Sequence, residues 1–412
     1  MRSERVRYLF SPAAIRERAG TLLARARRGQ SAHFLVEEPR LDVVRDYVLA
    51  VTTESYPTLD IPVHARWRHF DVGGVRRTAL LEAELQGPPR ERARAKIDLV
   101  VTSVLLDAGA GPAWHYIEPE TALELRRSEG LAVASFHLFR SGAFSSDPAA
   151  PLRADAEGLQ SFSPAALEIG FEVGPHNPLV GAEGRAALMR SIGKATLLHP
   201  ELFGRDTPRP GGLVDALWER AAPGAEGRRV VDAKTVLECV LIGFGSIFPE
   251  RLTLDGVPLG DVWAHSALGP AGSFESLVPI HKLSQWLTYS LLEPLTEAGL
   301  EVRGVEELTG LAEYRNGGLL LDLGLLALKD PAAATRLHHP SDELVVEWRA
   351  LTVALLDEIG EAVRRKLGKS QAELPLAKVL EGGTWAAGRK AAAARRSDGG
   401  PPLRIDSDGT VF

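Results

Sequence analysis

The chain has 412 residues, 45% of them hydrophobic and 25% charged, with a net charge of −6. This is the make-up of a globular protein with a sizeable core, and the acidic balance argues against a binder of nucleic acid or of an anionic membrane surface, which needs basic surface. A lone cysteine, Cys239, rules out an intrachain disulfide and suits a reducing compartment.

Helical periodicity dominates in chain order. Ser11-Pro12 reads as an N-cap and first helical residue, opening a helix to about Arg28 whose arginines form a solvated face. A second helix is expected over 38–55, stopped by Tyr56-Pro57, followed by an irregular stretch, 57–71, carrying Arg66, Trp67, Arg68, His69 and Phe70. Residues 90–107 form a long helix closed by glycines, and 118–136 contains another with a break at Gly130. Residues 141–161, rich in Pro, Ser and Ala, read as a surface loop. Ser163-Pro164 starts a short helix, 174–184 is a turn-rich loop entering a helix near Arg185, and 208–212 is a linker or loop. Residues 233–242 are helical or strand-like, and Leu254-Asp255-Gly256 signals a hairpin within 248–262. Strong helices follow over 279–292 and 342–366, then a terminal helix over 384–396 and a short β tail over 402–412 turning at Asp408-Gly409. The expectation is mainly α: one large helical domain over 1–412 with small β additions. The opening residues show no secretory leader and no apolar run is long enough to span a membrane, so the expected location is cytoplasmic.

Four places could carry chemistry. In 308–326, Glu313, Tyr314, Arg315 and Asn316 precede a leucine-rich run that must be buried, so charged groups are pinned beside a hydrophobic interior. Glu313 is a candidate base or cation stabiliser and Arg315 a candidate anion holder, against a plain salt-bridged loop. Asp322, within the run, needs a partner, for which Arg315 is a candidate. On the helix over 279–292, His281, Ser284, Gln285, Thr288 and Tyr289 share one mostly uncharged face, which lines a polar cavity or bonds within the core. Lys282, at its edge, could reach a phosphate. Asp107 ends an apolar helix, where burial and the helix dipole both oppose its charge. Finally, residues 177–185 form a glycine-bearing loop that either cradles an anion or simply starts a helix. No metal-ligand spacing, Walker loop, GxGxxG or GxSxG occurs, so neither a metal nor a cofactor is expected.

Segments 66–70, 98–111, 127–139, 278–294, 313–324, 382–390 (GGTWAAGRK) and 408–412 (DGTVF) together resemble the uracil catabolism protein four family of fungi and bacteria, over nearly the whole chain. That resemblance implies a step in a ring-opening route of uracil breakdown. A fainter similarity links Leu308-Thr309-Gly310-Leu311-Ala312-Glu313-Tyr314-Arg315, followed by Leu323-Gly324-Leu325-Leu326, to the queuosine-salvage N-glycosylases, which carry Asp where this chain has Glu313. The second resemblance implies a fold like that of helical DNA glycosylases and cleavage of a ribose–nitrogen bond. Together they point to a hydrolase releasing urea from a ribosylurea or its 5-phosphate, with Glu313 and Asp107 catalytic. His281, Gln285 and Tyr289 would hold the ureido group. Lys282, Arg315, Arg66 and Arg68 would neutralise a phosphate, with Tyr314 and Asn316 also lining the site. An amidohydrolase acting on the ureido carbonyl and a non-catalytic pathway partner remain as alternatives.

Overall fold

The computed structural model describes all residues except 1, 2, 112, 249–251 and 407–412. The chain is mainly α, with short two- and three-stranded additions. The helices that build the site are α1 (Pro12–Arg27), α2 (Arg40–Ser55), α3 (Arg66–Phe70), α4 (Pro89–Leu105), α5 (Arg127–Arg140), α6 (Ala156–Ser161), α7 (Ala182–Leu198), α8 (Lys282–Glu297), α9 (Tyr314–Asp322), α10 (Glu343–Leu367) and α11 (Trp385–Arg395). α10 lies along α1, α8 along α4, and α9 along α11. A continuous hydrophobic core runs from Val6 to Leu403 and takes side chains from all of these helices. No helix among the described residues is long and apolar enough to cross a membrane.

Local signals explain much of this. The Ser11 hydroxyl accepts the Ala14 N–H and Pro12 occupies the first turn of α1. Asp255 and Gly256 both have positive φ, the conformation of a tight two-residue hairpin, and join Thr253–Leu254 to Val257–Pro258. Arg16 of α1 reaches Asp357 of α10, and Arg27 reaches Glu38 and Glu358, so that arginine face is partly spent on its neighbours.

Three expectations are corrected, and a fourth is only partly described. The stretch around Arg66 is helical, not irregular. α5 passes through Gly130 without a break, because the missing side chain lets it lie on the Leu125 carbonyl and the Trp114 ring; a Cβ there would sit 2.8 Å from that oxygen. Within 141–161, Phe144, Ala154 and Leu159 are buried and α6 forms, capped by Asp155, so its second half is core. In the tail, Arg404–Ile405 pairs in parallel with Leu337–His338; the expected turn at Asp408-Gly409 lies outside the described residues.

Candidate functional site

The start of α8 is fixed by a residue with no local sequence signal. Asp261 accepts the Lys282 N–H at 3.0 Å, takes both ends of the Arg349 guanidinium at 2.7 and 2.8 Å, and accepts the Trp263 indole N–H. Burial alone would raise its pKa, but the Arg349 charge overcomes this and holds it well below the usual carboxylate range. His281 adopts a left-handed backbone just before the helix, its Nε2–H donating to the Leu9 carbonyl. Burial lowers its pKa to about 4, so it is neutral.

This anchor sets Lys282 inside the molecule. The residue is 8% exposed, and its ammonium makes no ion pair or hydrogen bond among the described residues. Burial lowers its pKa, opposed by the charges of Glu313 and Asp107. Those two acids, 206 residues apart by their numbering (313 − 107), therefore lie within electrostatic reach of one cation.

Each acid is held differently. Asp107, just beyond the end of α4, accepts the Ser128 hydroxyl and pairs with Arg66 Nη1 at 3.0 Å. The end of α4 is satisfied by Arg185, whose guanidinium donates to the carbonyls of Leu106, Ala108 and Gly109. In the 177–185 loop, Arg185 and Asn177 are thus used in structural bonds, the Asn177 amide to His115 and Glu172. Glu313 is the N-cap of α9, each oxygen accepting one backbone N–H, from Arg315 and Asn316, at 2.7 Å. Arg315 is 5% exposed and forms no ion pair within 4 Å among the described residues. Its guanidinium lies 4.0 Å from the Trp385 ring centre and its Nε donates to the Tyr314 hydroxyl, while Nη1 has no partner.

Several groups here escaped the sequence reading. Glu129 pairs through one oxygen with Arg389 at 2.5 Å, while the other is buried and unpartnered. His64, Trp286, His69 and Trp385 form a closed ring of contacts: each tryptophan lies 5.4–6.2 Å from both histidines. Arg66 sits over Trp286 at 5.5 Å. The face of α8 turned to this cluster is Lys282, Trp286 and Ser290, spaced by four; Ser290 accepts the Arg66 N–H. Periodicity alone does not mark Trp286, since it cannot separate a ring lining a site from one filling a core.

The structure brings together Asp107, Arg66, Lys282, Glu313, Tyr314 and Arg315. It does not place the others with them. His281, Gln285 and Tyr289 turn the other way: the Tyr289 hydroxyl donates to the Thr309 carbonyl, and Gln285 Oε1 accepts the Thr309 N–H. Asn316 donates to the Leu311 carbonyl. Asp322 pairs with Arg396, not Arg315. Arg68, two residues from Arg66 and so on the opposite side of α3, bonds Glu293 in a separate open cleft of about 680 Å³. Glu381 lines that cleft and accepts from His64 at 2.6 Å, which connects the cleft to the ring. The crevice beside Arg315, Arg389 and Tyr314 is far smaller, about 10 Å³. Glu118, Glu120 and His137 lie close enough to hold a cation, but both Glu118 oxygens already face the Arg77 guanidinium at 2.5 Å.

Buried cations without counter-ions, carboxylates around them and unpartnered polar atoms between aromatic walls are the chemistry of a pocket for a small polar ligand. The chain belongs to the family described as "Protein of unknown function (DUF1688)", whose profile matches residues 8–412. It is 40% identical over 413 residues, 93% of each chain, to "Uracil catabolism protein 4" of Lachancea kluyveri. It is 39% identical over 421 residues, along 100% of each chain, to "Protein urg3" of Schizosaccharomyces pombe.

Proposed function

We propose that this protein acts in uracil breakdown as a hydrolase of an N-ribosyl bond, releasing urea from a ribosylurea or its 5-phosphate. The name of the Lachancea kluyveri relative supports the pathway. The observation that carries the chemistry is Lys282, a buried lysine without an ion pair among the described residues, within electrostatic reach of both Glu313 and Asp107.

In this reaction water's hydroxyl goes to C1 of the sugar, the C1–N bond breaks, and water's proton leaves with the urea nitrogen. Positive charge builds on the ring as the bond stretches, so a fixed carboxylate facing C1 lowers the barrier. Glu313 has that role: its two backbone hydrogen bonds hold it in place without reorganisation. Asp107, oriented by Arg66 and Ser128, binds ribose hydroxyls. Lys282 and Arg315 hold the anionic part of a phosphorylated substrate, each gaining the counter-charge it lacks.

The test is urea release from synthetic ribosylurea and ribosylurea 5-phosphate by the purified protein. Glu313→Gln should lower turnover at least about 100-fold, the scale for removing one transition-state charge. It should cost only about 1 kcal/mol of stability, because the amide oxygen can still accept one helix N–H. Undiminished turnover in that variant ends the assignment of Glu313. Ammonia as the first product would instead point to attack on the ureido carbonyl, and tight binding without turnover to a carrier.

A further inference from the structure

We infer that the ring of His64, Trp286, His69 and Trp385 is the slot for the leaving group, and that it selects a flat, uncharged carbamoyl group such as a ureide. This rests on the N-ribosyl reading above and adds the part of the substrate that the acids do not touch.

Location is the first argument. Arg66, which holds Asp107, sits over Trp286, and Arg315, which follows Glu313, lies on Trp385. The ring is therefore flanked by the two cations next to the acids. A group leaving C1 between Asp107 and Glu313 meets these aromatic faces.

Unmet hydrogen bonds are the second argument. Trp286 is 5% exposed and its indole N–H has no partner; His69 is 5% exposed and its Nδ1 has none; one oxygen of Glu129 is buried and free. An unpartnered buried polar group costs about 1–3 kcal/mol, and these three gather around Arg66, where one ligand could satisfy them together. The set is also complementary to a ureide. The indole N–H donates to a carbonyl oxygen, while the carboxylate oxygen and a histidine nitrogen accept from amide N–H groups.

Charge is the third. Burial and the surrounding cations, Arg66 and Arg315 among them, keep His69 neutral, as does its neighbour His64. A neutral His69 between aromatic rings suits a planar, uncharged amide.

Trp286→Phe keeps the aromatic face and removes the N–H; His69→Phe does the same for Nδ1 and serves if the first variant does not fold. Both are measured for turnover of ribosylurea 5-phosphate, and for binding of that compound and of ribose 5-phosphate by calorimetry. The expected result is a 10- to 100-fold fall in kcat/KM and weaker ribosylurea 5-phosphate binding, with ribose 5-phosphate affinity unchanged. Unchanged ribosylurea 5-phosphate binding and turnover in the variants, or an equal loss of affinity for both ligands, overturns the slot. If the wild-type protein binds ribosylurea 5-phosphate without cleaving it, the hydrolase reading falls, and the variants' binding alone decides the slot. If the wild-type protein binds neither ligand, both fall.

Discussion

Two buried charge clusters in this molecule both set basic side chains beside glutamate and histidine, and solve opposite problems. Around Arg77, every charge is answered. Its guanidinium donates to both Glu118 oxygens and to the Phe70 and Val72 carbonyls, and Glu118 also takes Thr121 and His137. Around Lys282 and Arg315, cations are buried without ion pairs, and Glu129, Trp286 and His69 have unmet polar atoms. Burial is common to both clusters and so does not separate them; completeness does. A finished network holds a fold together, and an unfinished one leaves a place for a ligand.

That contrast can be broken most forcefully at Glu118. Glu118→Ala leaves Arg77 charged in the interior and should cost about 3–5 kcal/mol in chemical denaturation. Burial would raise the Glu118 pKa, but its hydrogen bonds, led by Arg77, lower it from 4.5 to about 2. The folded state thus holds this proton more weakly than the unfolded chain. The stability it contributes is present above pH 4.5 and is lost as pH falls towards 2, by on the order of 3 kcal/mol. The acid limb of a pH–stability curve should flatten in the variant.

Lys282→Met should do the reverse. Turnover should fall about 100-fold while the melting temperature holds or rises, because an uncompensated buried charge is removed. Burial lowers this lysine's pKa below its unfolded value of 10.5, so the wild-type protein should gain stability as pH rises towards 10.5. The variant should lack that gain. A large loss of stability in the variant would put Lys282 in the structural class with Arg77.

A Cβ on Gly388 would lie 2.2 Å from the Arg315 carbonyl oxygen. Gly388→Ala should push α11 off α9, loosen the Arg315–Trp385 stack, and cost about 1–3 kcal/mol with a matching loss of turnover. The smallest effect belongs to Arg68→Ala. Its ion pair with Glu293 lines the outer cleft, and stability should change by less than about 1 kcal/mol, with turnover within about threefold of wild type. A larger loss would move the substrate's phosphate into that cleft.

Much of the architecture was legible because it is written locally. The Ser11-Pro12 cap, the Asp255-Gly256 turn and the apolar spacing of the long helices each lie within a few residues. Short elements were not: α3 has five residues, too few to show a period. The acids and Lys282 could be picked out as charges beside apolar runs. Their neighbours could not. Asp261 and Arg349 are 88 residues apart and carry no shared pattern. Trp286 looks like any core tryptophan until Trp385 comes to face the same two histidines. On α8 the more polar stripe faces Leu9 and Thr309, whose backbone groups take His281 Nε2, the Tyr289 hydroxyl and Gln285 Oε1, and not the acids.

The pieces of this centre come from α3, the end of α4, the start of α5, α8, α9 and α11, and Arg315 is stacked by a ring at residue 385. During synthesis, earlier segments can collapse as they emerge. The centre stays incomplete until α11 has cleared the ribosome and docked, because only then does Trp385 stack on Arg315. On the proposed function, a truncation before Trp385 should therefore release no urea, however well its remaining helices pack.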